Sequence, residues 1–221
     1  MKQIYLVRHG QSTSNAGGKA QPNAQIELTE LGQQQVAEVA EWLEETLGDS
    51  VDEVHFSRFI RTQQTAQPYI DKVGIEPKVI EGLQEFDYLS FKKTNGTTFA
   101  TRLQMADEYW LRQDPRQADG EDAESYHDFC ERVAGVLEHF KTLPDGNHVV
   151  FTHGLWMSML IWQLLGQPCE DNGDLQKFRQ FELSIRPRNC EVFLLTLCEA
   201  HPPAITKVRT CAPTSSDVHA T

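Results

Sequence analysis

The chain is short of positive charge. Its 221 residues carry 20 lysines and arginines against 32 aspartates and glutamates, a formal net charge of −12 at pH 7. A protein this acidic lacks the broad positive face that nucleic acid or an anionic membrane surface requires, so neither is expected as a partner. An anionic ligand would have to be gathered locally by a few arginines. Paired cysteines are lacking too. Cys130, Cys169, Cys190, Cys198 and Cys211 are an odd number without C-x-x-C spacing. That argues against a disulfide framework or a zinc knuckle, and for reduced thiols in a cytoplasmic protein. Long apolar runs are missing. Residues 4–7 are too few for the apolar centre of a signal peptide, and residues 155–165 carry Ser158 and Gln163, well short of the roughly 20 residues that span a bilayer. His55, His127, His139 and His148 show no H-x-x-x-H pairing, so no metal site is expected. No internal repeat or low-complexity block is present.

What is there reads as one globular domain. The composition is 39% hydrophobic and 24% charged, ordinary for a chain with a single core. "QIYLV", "DEVHFS", "EPKVIEGL", "NHVVFTHG", "NCEVFLLTL" and "AITKV" have the apolar density of short strands. Between them, residues 29–47 predict a helix with Thr29 as N-cap and Gly48 as stop, its apolar face carried by Val36, Val39, Ala40, Leu43 and Leu47. Residues 61–73 and "AESYHDFCERVAGVLEHFKTL" predict two more helices, and "LWMSMLIWQLLG" a buried one. Alternating strands and helices imply an α/β fold, three-layer α/β/α with a mainly parallel sheet. Residues 86–120 differ: a loop-like "YLSFKKTNGTTF", then an amphipathic helix up to Pro115. They are expected to form an inserted helical and loop lid over one end of the sheet. The domain is placed at 1–212, followed by a loose tail at 213–221.

Chemistry collects at the strand ends. "LVRH" runs into Gly10, and "VVFTH" into Gly154. In an open parallel sheet, ligands bind beyond the carboxyl ends of the strands, so His9 and His153 should share one crevice. Each glycine would let backbone approach a bound group. A helix starting after Gly154 would favour an anion. "SRFIRTQQTA" adds Arg58 and Arg61, and "LQEF" adds Glu85. Arginine forks match phosphate oxygens, an imidazole can act as nucleophile, and a carboxylic acid can protonate a leaving oxygen.

These stretches resemble the histidine phosphatase superfamily, the phosphoglycerate mutase-like proteins. "LVRHGQSTSN", "LTELGQQQ", "SRFIRTQQTA", "LQEF" and "VVFTHG" follow one another in the family's order across residues 4 to about 165. The resemblance implies that His9 is the nucleophile that becomes phosphorylated and Glu85 the proton donor. It implies that Arg8, Arg61, Asn15 and His153 bind the phosphate, with Arg58 left on the surface. No metal or other cofactor is implied. Two departures stand out. Gln11 replaces the commoner glutamate, and "FDYLSFKKTNG" replaces the family's glycine and W-E-G-like turn after the acid, so the pocket's rim is this chain's own. Lys92, Lys93, Arg102 and Arg112 lie in that rim segment and read either as a solvated face or as contacts to an anionic substrate. Asn15 also suits an ordinary turn.

The activity so implied is a metal-independent phosphatase acting on a phosphomonoester through a phosphohistidine. The substrate could be a small phosphorylated molecule or a phosphoprotein, and a homodimer stays open. The alternatives are a phosphoglycerate-type mutase and a phosphate-binding scaffold with little turnover. The acidic stretch "QDPRQADGEDAESYHDF", where mutases of the family carry a basic one, favours hydrolysis.

Overall fold

Among the described residues six strands make one sheet. They are β1 (Lys2–Arg8), β2 (Val51–Phe56), β3 (Lys78–Val79), β4 (Gly146–Thr152), β5 (Val192–Cys198) and β6 (His201–Arg209), in the order β3-β2-β4-β1-β5-β6. A computed structural model describes residues 1–112 and 114–211; the tail expected at 213–221 lies outside them. β3, β2, β4 and β1 run parallel, and β5 and β6 add two antiparallel pairings. The mainly parallel α/β fold anticipated from the sequence is therefore what forms.

Strand alternation divides the core into two layers. Ile4, Leu6 and Val150 face one way, while Tyr5, Val7, Val149 and Phe151 face the other. Helices α1 (Glu30–Leu47) and α2 (Ile60–Val73) cover the second face through Val36, Leu43, Ala66 and Tyr69. Helices α5 (Tyr126–Thr142) and α6 (Gly154–Leu164) cover the first through Phe129, Val133, Trp156 and Leu160. Helix α1 has the expected ends: Thr29 accepts a hydrogen bond from Gly32 N, and Gly48 has a φ of 51°. Among the described residues no helix is long and apolar enough to cross a membrane.

Three elements differ from the sequence reading. The third strand pairs over only two residues. Gly82, with a φ of +97°, then turns the chain away from the sheet and carries Glu85 across its end. Within residues 86–120 the stretch read as loop carries a four-residue helix, α3 (Phe91–Thr94), while the helix expected before Pro115 forms as α4 (Phe99–Trp110). They are anchored by an aromatic cluster in which Phe86 stacks on Phe129 at 4.3 Å and meets Tyr109 and Trp110 edge-on. Finally, α7 (Asn172–Ile185) was not anticipated at all.

Gly10 has a different task from the one expected. A Cβ there would lie 2.8 Å from Gly32 O and from Val36 Cγ1, and a Cβ on Gly32 would lie 2.2 Å from Gln11 O. The glycines of "RHG" and "LTELG" thus interlock the first turn of α1 with the loop after β1; Gly10 does not open space for a ligand. Replacing Gly32 with alanine should destabilise the fold by about 3 kcal/mol through overpacking against backbone. For a chain this size that is a fall in melting temperature of roughly 6–12 °C. An unchanged melting curve would show that the joint yields freely.

Candidate active site

Strand register brings the site together. Arg8 pairs with Thr152, and Phe56 with Phe151, so His9, Ser57 and His153 each stand one residue beyond one of three adjacent parallel strands. His9 N donates to Thr152 O at 3.0 Å.

The His9 ring is oriented by its own loop. Nδ1 lies 2.7 Å from Gly10 O. A carbonyl only accepts, so the proton of the neutral ring sits on Nδ1 and Nε2 keeps its lone pair. Arg61 Nε approaches that Nε2 at 3.2 Å. Burial, reinforced by the Arg61 and Arg8 cations, holds the ring's pKa well below the usual imidazole range. The nucleophilic lone pair is therefore available at neutral pH. Arg61 is itself buried and brought down to about 10 by that burial, so it remains a cation. Its Nη1 donates to Asn23 O at 2.7 Å. Thr65 links the motifs: its Oγ1 accepts from Gly10 N at 3.1 Å and donates to Arg61 O at 2.6 Å.

Arg8 Nη1 donates to Pro187 O. A Cβ on Gly154 would lie 3.1 Å from Arg8 Nε, so this glycine makes room for the guanidinium, and it also lines the cavity. His153 is fully buried behind the cavity wall. Its ring packs edge-on against His9 at 5.2 Å. Its Nε2 meets Ser57 Oγ at 2.7 Å, and Ser57 Oγ in turn meets Thr62 Oγ1 at 2.9 Å. Burial first, then Arg61, keeps His153 neutral by lowering its pKa well below the ordinary value.

Glu85 sits at the start of α6. Its Oε2 accepts from Leu155 N at 3.1 Å and its Oε1 from Trp156 N at 3.0 Å, two donors that a first helical turn leaves unused. The turn before it is pinned: Arg132 Nη1 donates to Gly82 O and Gln84 O, both at 2.7 Å, and Trp156 Nε1 to Gly82 O at 2.8 Å. Asn15 also reaches the cavity. Its Oδ1 accepts from Ser12 N at 3.1 Å and Asn189 Nδ2 at 3.3 Å, which leaves the amide N–H₂ as the group able to meet a ligand.

Arg8, His9, Asn15, Arg61 and Glu85 line one cavity of about 270 Å³, together with Phe86, Tyr88, Phe99 and Leu103, whereas His153 does not. A second hollow of about 240 Å³, bordered by Asp87 and Arg102, shares several of those walls. Of the four rim cations, Arg102 alone reaches either hollow. Lys92 pairs with Glu121, and Lys93 and Arg112 pair with Asp119. A model of the histidine phosphatase superfamily (branch 1) matches residues 4–201.

The chain belongs to the histidine phosphatase superfamily.

Among curated relatives, "Probable phosphoglycerate mutase GpmB" of Enterobacter sp. (strain 638) is 31% identical over 199 residues, covering 87% of this chain and 83% of that one. Two solved structures share the fold. Phosphoserine phosphatase from Entamoeba histolytica, in complex with 3-phosphoglyceric acid, has a TM-score of 0.70 at 24% identity, covering 98% of this chain and 100% of that chain. Mycobacterial glucosyl-3-phosphoglycerate phosphatase has a TM-score of 0.70 at 21% identity, covering 96% and 100%.

Sequence reasoning missed several residues of this superfamily member. Asn189 Nδ2 donates to His9 O at 2.8 Å, and the next residue, Cys190, holds a φ of 59° while its N donates to Arg8 O. "NCEVFLLTL" reads as a strand and hides that contact. Arg179 of α7 and Arg186, the residue just after it, line the cavity. The sequence reading also expected no metal-ligand grouping. Pairing of β2 with β4 nevertheless brings His55 Nε2 to 3.1 Å and His148 Nδ1 to 3.5 Å from Glu53 Oε2. This grouping joins Glu53 and His55 of β2 to His148, the third residue of β4, and spacing within one segment cannot reveal it. Glu53 already pairs with Lys78.

Proposed function

We propose that this member hydrolyses a small phosphomonoester through a phosphohistidine on His9. The observation that carries the reading is the His9 ring itself, with Nδ1 tied to Gly10 O and the Nε2 lone pair held beside Arg61. Nε2 attacks phosphorus, the N–P bond forms and the ester P–O bond breaks. Protonated Glu85 delivers its proton to the departing oxygen. Arg8 and Arg61 offset the charge on the equatorial oxygens, where most of the rate gain in phosphoryl transfer lies. When Ser57 donates to His153 Nε2, the His153 proton stands on Nδ1, and the neutral ring backs the His9 imidazole from behind the cavity wall. Water then attacks phosphorus and gives a proton to Glu85, the N–P bond breaks, and phosphate leaves. A walled cavity of about 270 Å³ suits a small phosphorylated molecule better than a protein segment.

A mutase reading has one observation in its favour, the name of the curated relatives. Against it, three of the four cations of the rim segment 86–120 are tied to acids, which leaves that segment little free positive charge. The test is a panel of phosphomonoesters assayed with and without a chelator, alongside phosphoryl exchange between 2- and 3-phosphoglycerate. Phosphate release that exceeds exchange is expected. Exchange outrunning release would establish the mutase, and neither activity would leave the scaffold.

A further inference from the structure

The wall contributed by α7 carries charge that the phosphoryl transfer does not use. Arg179 and Arg186 both line the His9 cavity, with side chains 16% and 24% exposed around a fully buried Glu182. Arg186 grips that carboxylate with two bonds, Nε to Oε2 at 2.9 Å and Nη2 to Oε1 at 2.7 Å. Arg179 reaches Oε1 through Nη1, and its guanidinium lies over the Trp110 ring at 5.0 Å. Two cations on one anion leave one unit of positive charge. Arg186 Nη1 and the Nε and Nη2 of Arg179 are not among the atoms that hold Glu182.

This arrangement costs desolvation that an apolar pair would avoid. In a chain with a net charge of −12, it places excess positive charge on a cavity wall. It also adjoins the phosphate site: Pro187, next to Arg186, gives its carbonyl to Arg8. The cavity lining also includes the apolar side chains of Phe86, Phe99 and Leu103.

We propose that Arg179 and Arg186 form a second anion subsite, so that the substrate carries a further oxyanion besides the phosphoryl group that is transferred. The inference rests on the phosphatase reading above. Guanidinium forks bind carboxylates and phosphates alike. The single excess charge matches a carboxylate, and the cavity size calls for a short skeleton between the two anions.

The test compares ligands on one short carbon skeleton. Non-hydrolysable phosphonates bearing a second carboxylate, a second phosphonate or a neutral carboxamide are titrated calorimetrically. The corresponding phosphate esters are assayed for phosphate release. Binding at least tenfold tighter with a second anion than with the amide is expected, and the stronger of the two anions names the source. In Arg186→Gln and Arg186→Lys the ratio should fall towards one, the change appearing in KM, with circular dichroism melts to confirm folding. Equal binding of anion and amide by the wild type overturns the subsite and requires no variant. Tight anion binding without release from any ester would retain the subsite and refute the phosphatase. Release without anion preference would do the reverse.

Discussion

Replacing His9 with alanine should lower phosphate release by at least about 10⁴-fold, the loss that follows removal of a nucleophile from a constellation that acts as a unit. Alanine removes the only imidazole that lines the cavity among the described residues. His153 cannot substitute: it is fully buried, and its Nε2 is engaged with Ser57. Wild-type enzyme quenched during turnover of a labelled substrate should retain label that is lost in acid and stable in base, as a phosphoramidate is, and His9→Ala should retain none. Label trapped equally in both proteins would place the nucleophile elsewhere. The state of the ring can be read separately. Burial with Arg61 and Arg8 beside it lowers the His9 pKa well below the ordinary value. Its NMR resonances should therefore show no midpoint near 6.5, and a normal titration there would contradict the packed, neutral imidazole.

Much of this site is legible in sequence because its residues sit directly after strands. Arg8, His9 and His153 need only the apolar runs that precede them and the rule that parallel strands open on one crevice. The glycines could be seen but not interpreted, since the atoms that exclude a Cβ at Gly32 belong to Gln11, 21 positions earlier. Helix α7 was hidden by its own chemistry. Leu175 and Phe178 begin a buried stripe, but the next buried position, one heptad after Leu175, is Glu182. A charge inside the stripe breaks the hydrophobic period on which a sequence reading depends. The third strand was overestimated because "VI" continues the apolar run, although Gly82 and the bonds to Arg132 pull the chain off the sheet. Asn189 acts through side-chain bonds to His9 O, 180 residues away, and to Asn15 Oδ1, and no local pattern encodes such bonds. The residues that bear the chemistry follow one another in motifs, whereas those that shape the remainder of the cavity are assembled by folding.

Substituting Glu85 with glutamine should slow hydrolysis of an alkyl phosphate by about 10³-fold, within the usual contribution of general acid–base catalysis, and slow an aryl phosphate by less than about tenfold. The asymmetry follows from the leaving group. An alkoxide departs at neutral pH only as it gains a proton, whereas a nitrophenolate is stable without one. Glutamine keeps the size and one carbonyl acceptor for the α6 donors, but it carries no transferable proton. It also leaves Leu155 N or Trp156 N with a poorer partner, a loss of about 1 kcal/mol in stability that a melting curve can separate from the kinetic effect. Asp87 is the rival carboxyl, pushed up to about 6 by its burial. It borders the adjoining hollow, whereas Glu85 lines the His9 cavity. Asp87→Asn should therefore leave the alkyl-to-aryl ratio unchanged. If Glu85→Gln slows both esters equally, Glu85 serves to fix the start of α6 beneath the phosphate. If Asp87→Asn alone shifts the ratio, the proton comes from the rim, and the acid of this site is the residue that the family pattern does not mark.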